Sequence, residues 1–261
     1  MSLRWTVLGA GTIAPHAALS PSGHLIESPG GPILVDMGPG TLWRLAAAGV
    51  QWPNLAALVI SHAHLDHFLD FQAMMFSSRA INHGRTKPLP ILTGPGLRGY
   101  VQKLEGALGK WVRPKGFELE WIEMRAGKTR LGGLDVHVAP MKHHVTSIGV
   151  RFEDAQGRSV AYSGDSARCP ELVTLCHKAD LAVLECSSPD DDPIGGHMTP
   201  KDVAQIAAAA HVKQVALVHR YPSLDGVDVE AAVAAHGYDG AVVAARDGQS
   251  FQIGAQEHSH G

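Results

Sequence analysis

Cysteine is scarce in this sequence of 261 residues. The chain has three cysteines, Cys169, Cys176 and Cys186, and no two of them form a CxxC pair. Three thiols cannot all pair with one another, so the sequence supports neither a disulfide framework nor a cysteine-based zinc ribbon. We therefore expect the protein in a reducing compartment, the cytoplasm.

Long apolar runs are also missing, and neither sign of charge dominates. No segment reaches the roughly 18 apolar residues of a membrane span, and Gly9, Gly11 and Pro15 interrupt the first apolar run before it could act as a signal peptide. The 22 basic and 25 acidic residues give a formal charge of −3. Bulk charge therefore does not favour nucleic acid as a partner, although a local basic patch stays open, and no membrane association is expected.

Short apolar runs rich in Val, Ile and Leu recur along the chain and are typical of strands in a layered protein. We predict strands over residues 3–8, 32–37, 55–60, 90–93, 134–139, 148–152, 159–162, 181–184, 214–218 and 241–244, and helices over 41–48, 66–79, 97–108, 200–211 and 227–236. This order predicts sheets covered by helices on their outer faces, in one domain spanning residues 1–261.

Histidine is abundant: 16 histidines outnumber the six Phe, four Tyr and five Trp residues combined. Four candidate metal ligands, His62, His64, Asp66 and His67, directly follow an apolar strand. Strand alternation places His62 and His64 on one side, and a turn into the next helix can aim Asp66 and His67 at a neighbouring point. Without a cation, four such groups crowded together would lose contact with water, and no other interaction would compensate for the free energy of that desolvation. The segment therefore predicts two metal sites side by side.

Three further candidate ligands, His143, Asp165 and His219, each follow an apolar run. Strand ends are where layered α/β proteins place their chemistry, so these residues fit the same site. His144 adjoins His143, and strand alternation is compatible with either histidine as the ligand.

With these residues in place, the chain resembles a metallo-β-lactamase-fold hydrolase, and within that superfamily the ribonuclease Z branch and its small phosphodiesterase relatives. The resemblance is carried by VDMGPGT at 35–41, HxHxDH at 62–67, HHVTSIG at 143–149, SGDS at 163–166 and LVH at 217–219. It implies an α/β fold in the form of a four-layer αββα sandwich, with the metals at one edge of the two sheets.

The resemblance also implies a ligand set and the ions it holds. It assigns one metal to His62, His64 and His143, the other to Asp66, His67 and His219, and makes Asp165 the bridge. The family spacing H-x-V-x-S-x-G favours His143 over His144. Two divalent ions per chain are implied, with zinc expected and manganese or iron as alternatives.

Four other residues complete the predicted site. His197 lies in a GHxT-type motif, and the resemblance implies that the histidine of this motif donates a proton to the leaving oxygen. The metal ligand Asp66 is also expected to be catalytic. Glu185 could orient His197 or be a surface carboxylate at a strand end. Asp36 is expected to orient a metal-bound histidine rather than to bind metal. Arg220 could face a substrate phosphate oxygen or point away.

Two divalent ions can hold a bridging water as hydroxide and neutralise charge on attacking and leaving oxygens. The sequence lacks the basic arm with which ribonuclease Z enzymes grip tRNA, so we expect a small-molecule phosphodiester, such as a cyclic nucleotide, as substrate. The alternatives are tRNA 3′ processing, hydrolysis of a carboxylic or sulfuric ester or lactone, and a non-enzymatic metal-binding module. The sequence leaves open whether the chain forms a homodimer.

Overall fold

The computed structural model describes residues 3–81 and 84–254; His83, His258 and His260, to which no function is assigned, lie outside these ranges. The strands of this part are β1 Leu3–Gly9, β2 Gly23–Ser28, β3 Gly31–Met37, β4 Ala57–Ile60, β5 Leu89–Thr93, β6 Leu119–Glu123, β7 Gly127–Leu131, β8 Leu134–Pro140, β9 Ile148–Glu153, β10 Ser159–Tyr162, β11 Leu181–Glu185, β12 Gln214–Val218, β13 Ala241–Ala244 and β14 Ser250–Ile253. The α-helices are α1 Thr41–Ala47, α2 Leu65–Phe68, α3 Asp70–Ala80, α4 Leu97–Leu108, α5 Pro170–Leu175, α6 Pro200–Ala210 and α7 Val229–Ala235.

The described strands form two mixed sheets of seven strands each. The first sheet has the order β14-β1-β2-β3-β4-β5-β6, antiparallel from β14 to β3 and parallel from β3 to β6. The second has the order β13-β12-β11-β10-β9-β8-β7, parallel from β13 to β10 and antiparallel from β10 to β7. Each sheet therefore has a parallel half, which directs several strand ends to the same edge.

The two sheets pack face to face around a shared core. Trp5 and Val35 of the first sheet and Phe152 and Val183 of the second belong to this core and are completely buried. Helices α1 to α4 cover the outer face of the first sheet, and α5 to α7 cover that of the second. The expected αββα sandwich is confirmed, because the central strands have apolar side chains on both faces and must be covered twice.

Sequence patterns missed four strands: β2, β6, β7 and β14. Strands β14, β6 and β7 are sheet edges, and they are partly exposed with polar residues in alternation, so they lack a continuous apolar run. Helix α5 was also missed, and the helix expected over 66–79 is two helices, α2 and α3, separated by Leu69. In the described part of the chain, no helix is long and apolar enough to cross a membrane.

Candidate metal centre

The candidate ligands meet at the edge where strands of both sheets end. His62 and His64 follow β4, Asp66 and His67 lie on α2, His143 follows β8, Asp165 follows β10 and His219 follows β12. Their ligand atoms form overlapping groups within which all atoms lie within 4.8 Å of one another: His62, His64, His143 and Asp165; Asp66, His67 and His219; Asp165, His197 and His219. The structure therefore brings together all seven residues that the sequence proposed as ligands.

The first group is built from three imidazoles and one carboxylate. His64 Nδ1 lies 3.0 Å from His62 Nε2 and 3.0 Å from His143 Nε2, and Asp165 Oδ2 lies 3.6 Å from His62 Nε2. His144 is exposed, and its Nδ1 lies 2.9 Å from the Thr146 hydroxyl instead. Of the two adjacent histidines that alternation left open, His143 is therefore the one in the cluster.

The second group shares Asp165 with the first. His67 Nε2 lies 3.3 Å from Asp165 Oδ1, and His219 Nε2 lies 3.4 Å from Asp165 Oδ2. Asp66 Oδ2 lies 3.3 Å from His219 Nε2 and accepts a hydrogen bond from the Ile13 N–H at 3.1 Å. Asp165 therefore lies between both groups, as a bridging carboxylate would.

Two buried atoms test whether this donor set fits a metal. His67 Nε2 and Asp165 Oδ1 have no hydrogen-bond partner among the described residues, although both are shielded from water. Buried polar atoms are normally paired, so a cation between them would supply the missing interaction. Imidazole and carboxylate are also the ligand types of zinc and similar ions, so the residues fit a dinuclear metal centre.

For four of the ligands, the electrostatics favour the protonation states that a metal requires. Burial lowers the pKa of His62 well below 6.5, and burial also lowers the pKa of His143, so both imidazoles stay neutral. Burial opposes ionisation of Asp165, but the neighbouring His219 and His67 hold its pKa well below 3.8. Burial opposes ionisation of Asp66 as well, but its hydrogen bond to His219 and the charges of His67 and His219 together lower its pKa to about 2. These neutral imidazoles and ionised carboxylates are ready to bind a cation.

His67 is the exception among these ligands. Burial lowers its pKa, but Asp165 and Asp36 outweigh burial and hold the pKa well above 6.5. His67 would therefore release a proton when a cation binds.

Asp36 lies at the end of β3 and holds the side of His67 that faces away from the ligand cluster. Its Oδ2 accepts hydrogen bonds from His67 Nδ1–H at 2.8 Å, the Tyr162 hydroxyl at 2.6 Å and the Ser61 hydroxyl at 2.8 Å, while Oδ1 accepts the Ser61 N–H at 2.7 Å. This arrangement leaves His67 Nε2 directed at the cluster. Asp36 thus has the geometry expected of an orienting carboxylate, whereas Ser61 and Tyr162 had not been identified from the sequence.

His197 and Glu185 form a pair at the edge of the cluster. His197 Nδ1 lies 3.0 Å from Glu185 Oε2, and the His197 ring stacks on the His219 ring at 5.5 Å. Burial lowers the pKa of His197, but the hydrogen bond and charge of Glu185 outweigh it, so the net pKa is raised above 6.5.

Glu185 is completely buried and is not a surface carboxylate. Besides His197, it accepts hydrogen bonds from the Ser166 N–H at 2.5 Å, the Ser187 hydroxyl at 2.5 Å and the Met198 N–H at 3.2 Å. Four donors fix the carboxylate, which in turn fixes the ring of His197. The only sequence signal for a role of Ser187 in this pair is its position in the chain between Glu185 and His197.

Arg220 contacts other parts of the chain. Its guanidinium donates to the Ala245 carbonyl at 2.7 Å, and its backbone N–H donates to the Ala10 carbonyl at 3.3 Å. The side chain is therefore tied to the segment after β13. The next residue, Tyr221, lies against the rings of both His197 and His219 and was not singled out by its sequence context.

Comparison with known proteins identifies a matching family and relatives that align with nearly the whole chain. The family described as Beta-lactamase superfamily domain matches residues 32–220. An uncharacterized protein of Mycobacterium leprae is 31% identical over 274 residues, covering 98% of this chain and 91% of that protein. A ribonuclease Z of Haloferax volcanii is 26% identical over 311 residues, covering 97% of this chain and 96% of that enzyme.

Solved structures share the architecture over nearly the whole chain. The metallo-β-lactamase fold protein YhfI from Bacillus subtilis has a TM-score of 0.83 at 24% identity, covering 97% of this chain and 100% of that one. A diphosphatase from the PhnP family has a TM-score of 0.74 at 20% identity, covering 96% and 97%. Zn²⁺-bound PqqB from Methylobacterium extorquens has a TM-score of 0.74 at 15% identity, covering 95% and 99%. At these identities the likeness establishes the fold.

Proposed function

The chain belongs to the metallo-β-lactamase superfamily, and from this premise we propose that it hydrolyses a small phosphodiester, such as a cyclic nucleotide, at a dinuclear metal centre. One observation carries the proposal: a histidine held by a buried carboxylate, His197 with Glu185, stands beside the ligand cluster. Cleavage of an alkyl phosphodiester expels an alkoxide, which needs a proton donor as well as an activated water.

The proposed metal ligands are those that the cluster brings together. His62, His64 and His143 would hold one ion, Asp66, His67 and His219 the other, and Asp165 both. When bound, two such ions activate water near neutral pH and neutralise charge on the phosphoryl group. The donor set supports zinc, and the Zn²⁺-bound PqqB neighbour is consistent with it.

In this proposal, His197 delivers the proton to the leaving oxygen. Its Nδ1 is engaged by Glu185, so Nε2 is the nitrogen that can give a proton to a substrate. The Glu185 carboxylate stabilises the charged imidazolium, which is the form that must be present before proton transfer. Glu185 acts through His197 and is a positioning residue.

The small size of the substrate is supported by the segment that would have to form a basic arm. Residues 98–130 are used in α4, β6 and β7, which belong to the layers of the fold. Two of its cations are also paired with carboxylates, Arg113 with Glu105 at 3.2 Å and Arg130 with Asp135 at 3.1 Å. The ribonuclease Z relative nevertheless makes tRNA 3′ processing the second candidate.

A substrate panel tests the proposal. Zinc-loaded protein is assayed with bis(p-nitrophenyl) phosphate, a 3′,5′-cyclic nucleotide, a tRNA precursor, p-nitrophenyl acetate and an aryl sulfate. We expect turnover of the first two and little of the others. Ester or sulfate hydrolysis without phosphodiester turnover would contradict the proposal, and efficient cleavage of the tRNA precursor would favour the second candidate.

A further inference from the structure

Tyr221 stands edge-on across two histidines of the site. Its ring centroid lies 5.7 Å from that of His219, at an interplanar angle of 80°, and 6.1 Å from that of His197, at 75°. The two imidazoles are nearly parallel to each other, at 10°. The phenol therefore borders both a candidate metal ligand and the proposed proton donor.

The backbone of Tyr221 is fixed, but its hydroxyl is not used by the fold. The Tyr221 N–H donates to the Ser187 carbonyl at 3.4 Å, and its carbonyl accepts the Leu224 N–H at 3.0 Å. Among the described residues, no hydrogen bond to the Tyr221 hydroxyl is formed, whereas the buried Tyr162 and Tyr238 hydroxyls donate to Asp36 and the Val212 carbonyl. A half-buried phenol beside a reaction centre thus retains one free donor.

The surroundings favour a donor at this position. An ordinary phenol has a pKa of about 10, so its hydroxyl carries a proton to donate near neutral pH. The non-bridging oxygens of a phosphoryl group carry negative charge and accept hydrogen bonds, so a free hydroxyl donor can add to the contacts that the two ions would make. Arg220, the adjacent cation, is tied to the Ala245 carbonyl.

We propose that the Tyr221 hydroxyl donates a hydrogen bond to a non-bridging phosphoryl oxygen of the substrate. Tyr221 is then a substrate-contacting residue on the side where His197 protonates the leaving group. This assignment rests on the proposed function, because it requires a phosphoryl group at the site. The ring of Tyr221 has a separate packing role against His197 and His219, which the phenylalanine variant preserves.

Inorganic phosphate serves as the probe, because it has the non-bridging oxygens without requiring turnover. Its affinity for zinc-loaded wild type, Tyr221→Phe and Tyr238→Phe is measured by isothermal titration calorimetry, with zinc content determined on each sample. Since hydrogen bonds to charged groups are the stronger class, we expect Tyr221→Phe to bind phosphate about tenfold or more weakly with unchanged zinc content. Tyr238→Phe loses a hydroxyl far from the cluster and is expected to match wild type.

The outcomes distinguish the role assigned to Tyr221 from the proposed phosphodiesterase function on which it rests. Equal phosphate affinity in wild type and Tyr221→Phe overturns the role of Tyr221 alone, as does loss of zinc from the variant. Failure of zinc-loaded wild type to bind phosphate overturns the assignment, whereas the proposed function is contradicted by the absence of phosphodiester turnover. Weakened phosphate binding in Tyr221→Phe, together with no phosphodiester turnover by wild type, supports the contact while contradicting the proposed function.

Discussion

Two non-glycine residues of the centre, Asp36 and His219, have left-handed backbone angles, with φ of 58° and 53°. Such angles cost of the order of 1–3 kcal/mol for a non-glycine residue and persist only where surrounding contacts hold them. The four donors on Asp36 and the carboxylates beside His219 are contacts of this kind. The chain is thus strained where it turns these side chains toward the centre.

Replacement of His197 tests the proton donor. We expect His197→Ala to lower kcat for a phosphodiester with an alkoxide leaving group by about 10²–10⁴, because general acid catalysis is lost. Zinc content should stay near two per chain. His144→Ala is the matched control, since His144 is exposed and absent from the ligand groups. Loss of zinc from His197→Ala would make His197 a ligand instead.

Tyr162 tests the support of the metal site from inside the core. Tyr162→Phe removes one donor from the carboxylate that orients His67, and loss of such an outer contact typically weakens metal binding about 10–100-fold. Zinc affinity measured by competition with a chelator checks this, with Tyr238→Phe as the control for loss of a buried hydroxyl. Equal zinc affinity in Tyr162→Phe and wild type would show that Ser61 and His67 hold Asp36 without it.

Residues that belong to one local motif or to a strand end could be found from the sequence. His62, His64, Asp66 and His67 lie within six positions, and strand ends identified the later ligands. Tyr162 could not be found in this way, because its partner Asp36 is 126 positions away and only the packing of the two sheets joins them. The hydroxyls around the centre follow from tertiary contacts, which a single sequence does not contain.

At the scale of elements, the sequence predicted every described interior strand except β2, but of the described edge strands only β13. The interior strands β10 and β12 have the predicted bounds, and so does the edge strand β13, whereas the edge strands β6, β7 and β14 were missed. Interior strands are covered on two faces and leave apolar runs, while an edge strand alternates polar and apolar residues over a few positions. The edge of the sheets that carries the candidate ligands could nonetheless be predicted, because each strand that a ligand follows is an interior strand.

Strand β2 introduces a buried histidine with a consequence for stability. Burial lowers the pKa of His24 from 6.5 to about 3. Between these values the unfolded chain binds a proton that the folded chain does not, so His24 makes the free energy of unfolding decrease as pH falls below 6.5. The slope is roughly 1.4 kcal/mol per pH unit at full effect.

Urea unfolding of metal-free protein at several pH values between 7 and 4.5 measures this slope. His24→Phe keeps a ring between Trp5 and Tyr162 and should lose stability less steeply in acid, by about one proton. His177→Phe, at an exposed position, is the control. Identical pH slopes for wild type and His24→Phe would show that His24 is not held neutral by the fold.

At the scale of the whole molecule, the centre exists because two sheets end at one edge. The first sheet supplies the ligands that follow β4, and the second supplies those that follow β8, β10 and β12. Neither sheet alone completes a group of ligands: the first group joins His62 to Asp165, and the second joins Asp66 to His219. Metal binding should therefore stabilise the packing of the sheets against each other.

Anomalous diffraction at the zinc absorption edge, from crystals of zinc-loaded protein, tests the dinuclear centre most directly. The proposed ligand set predicts two peaks per chain, one contacted by His62, His64 and His143 and one by Asp66, His67 and His219, with Asp165 between them. A single peak, or a second peak contacted by His197 in place of Asp66 and His67, would contradict it.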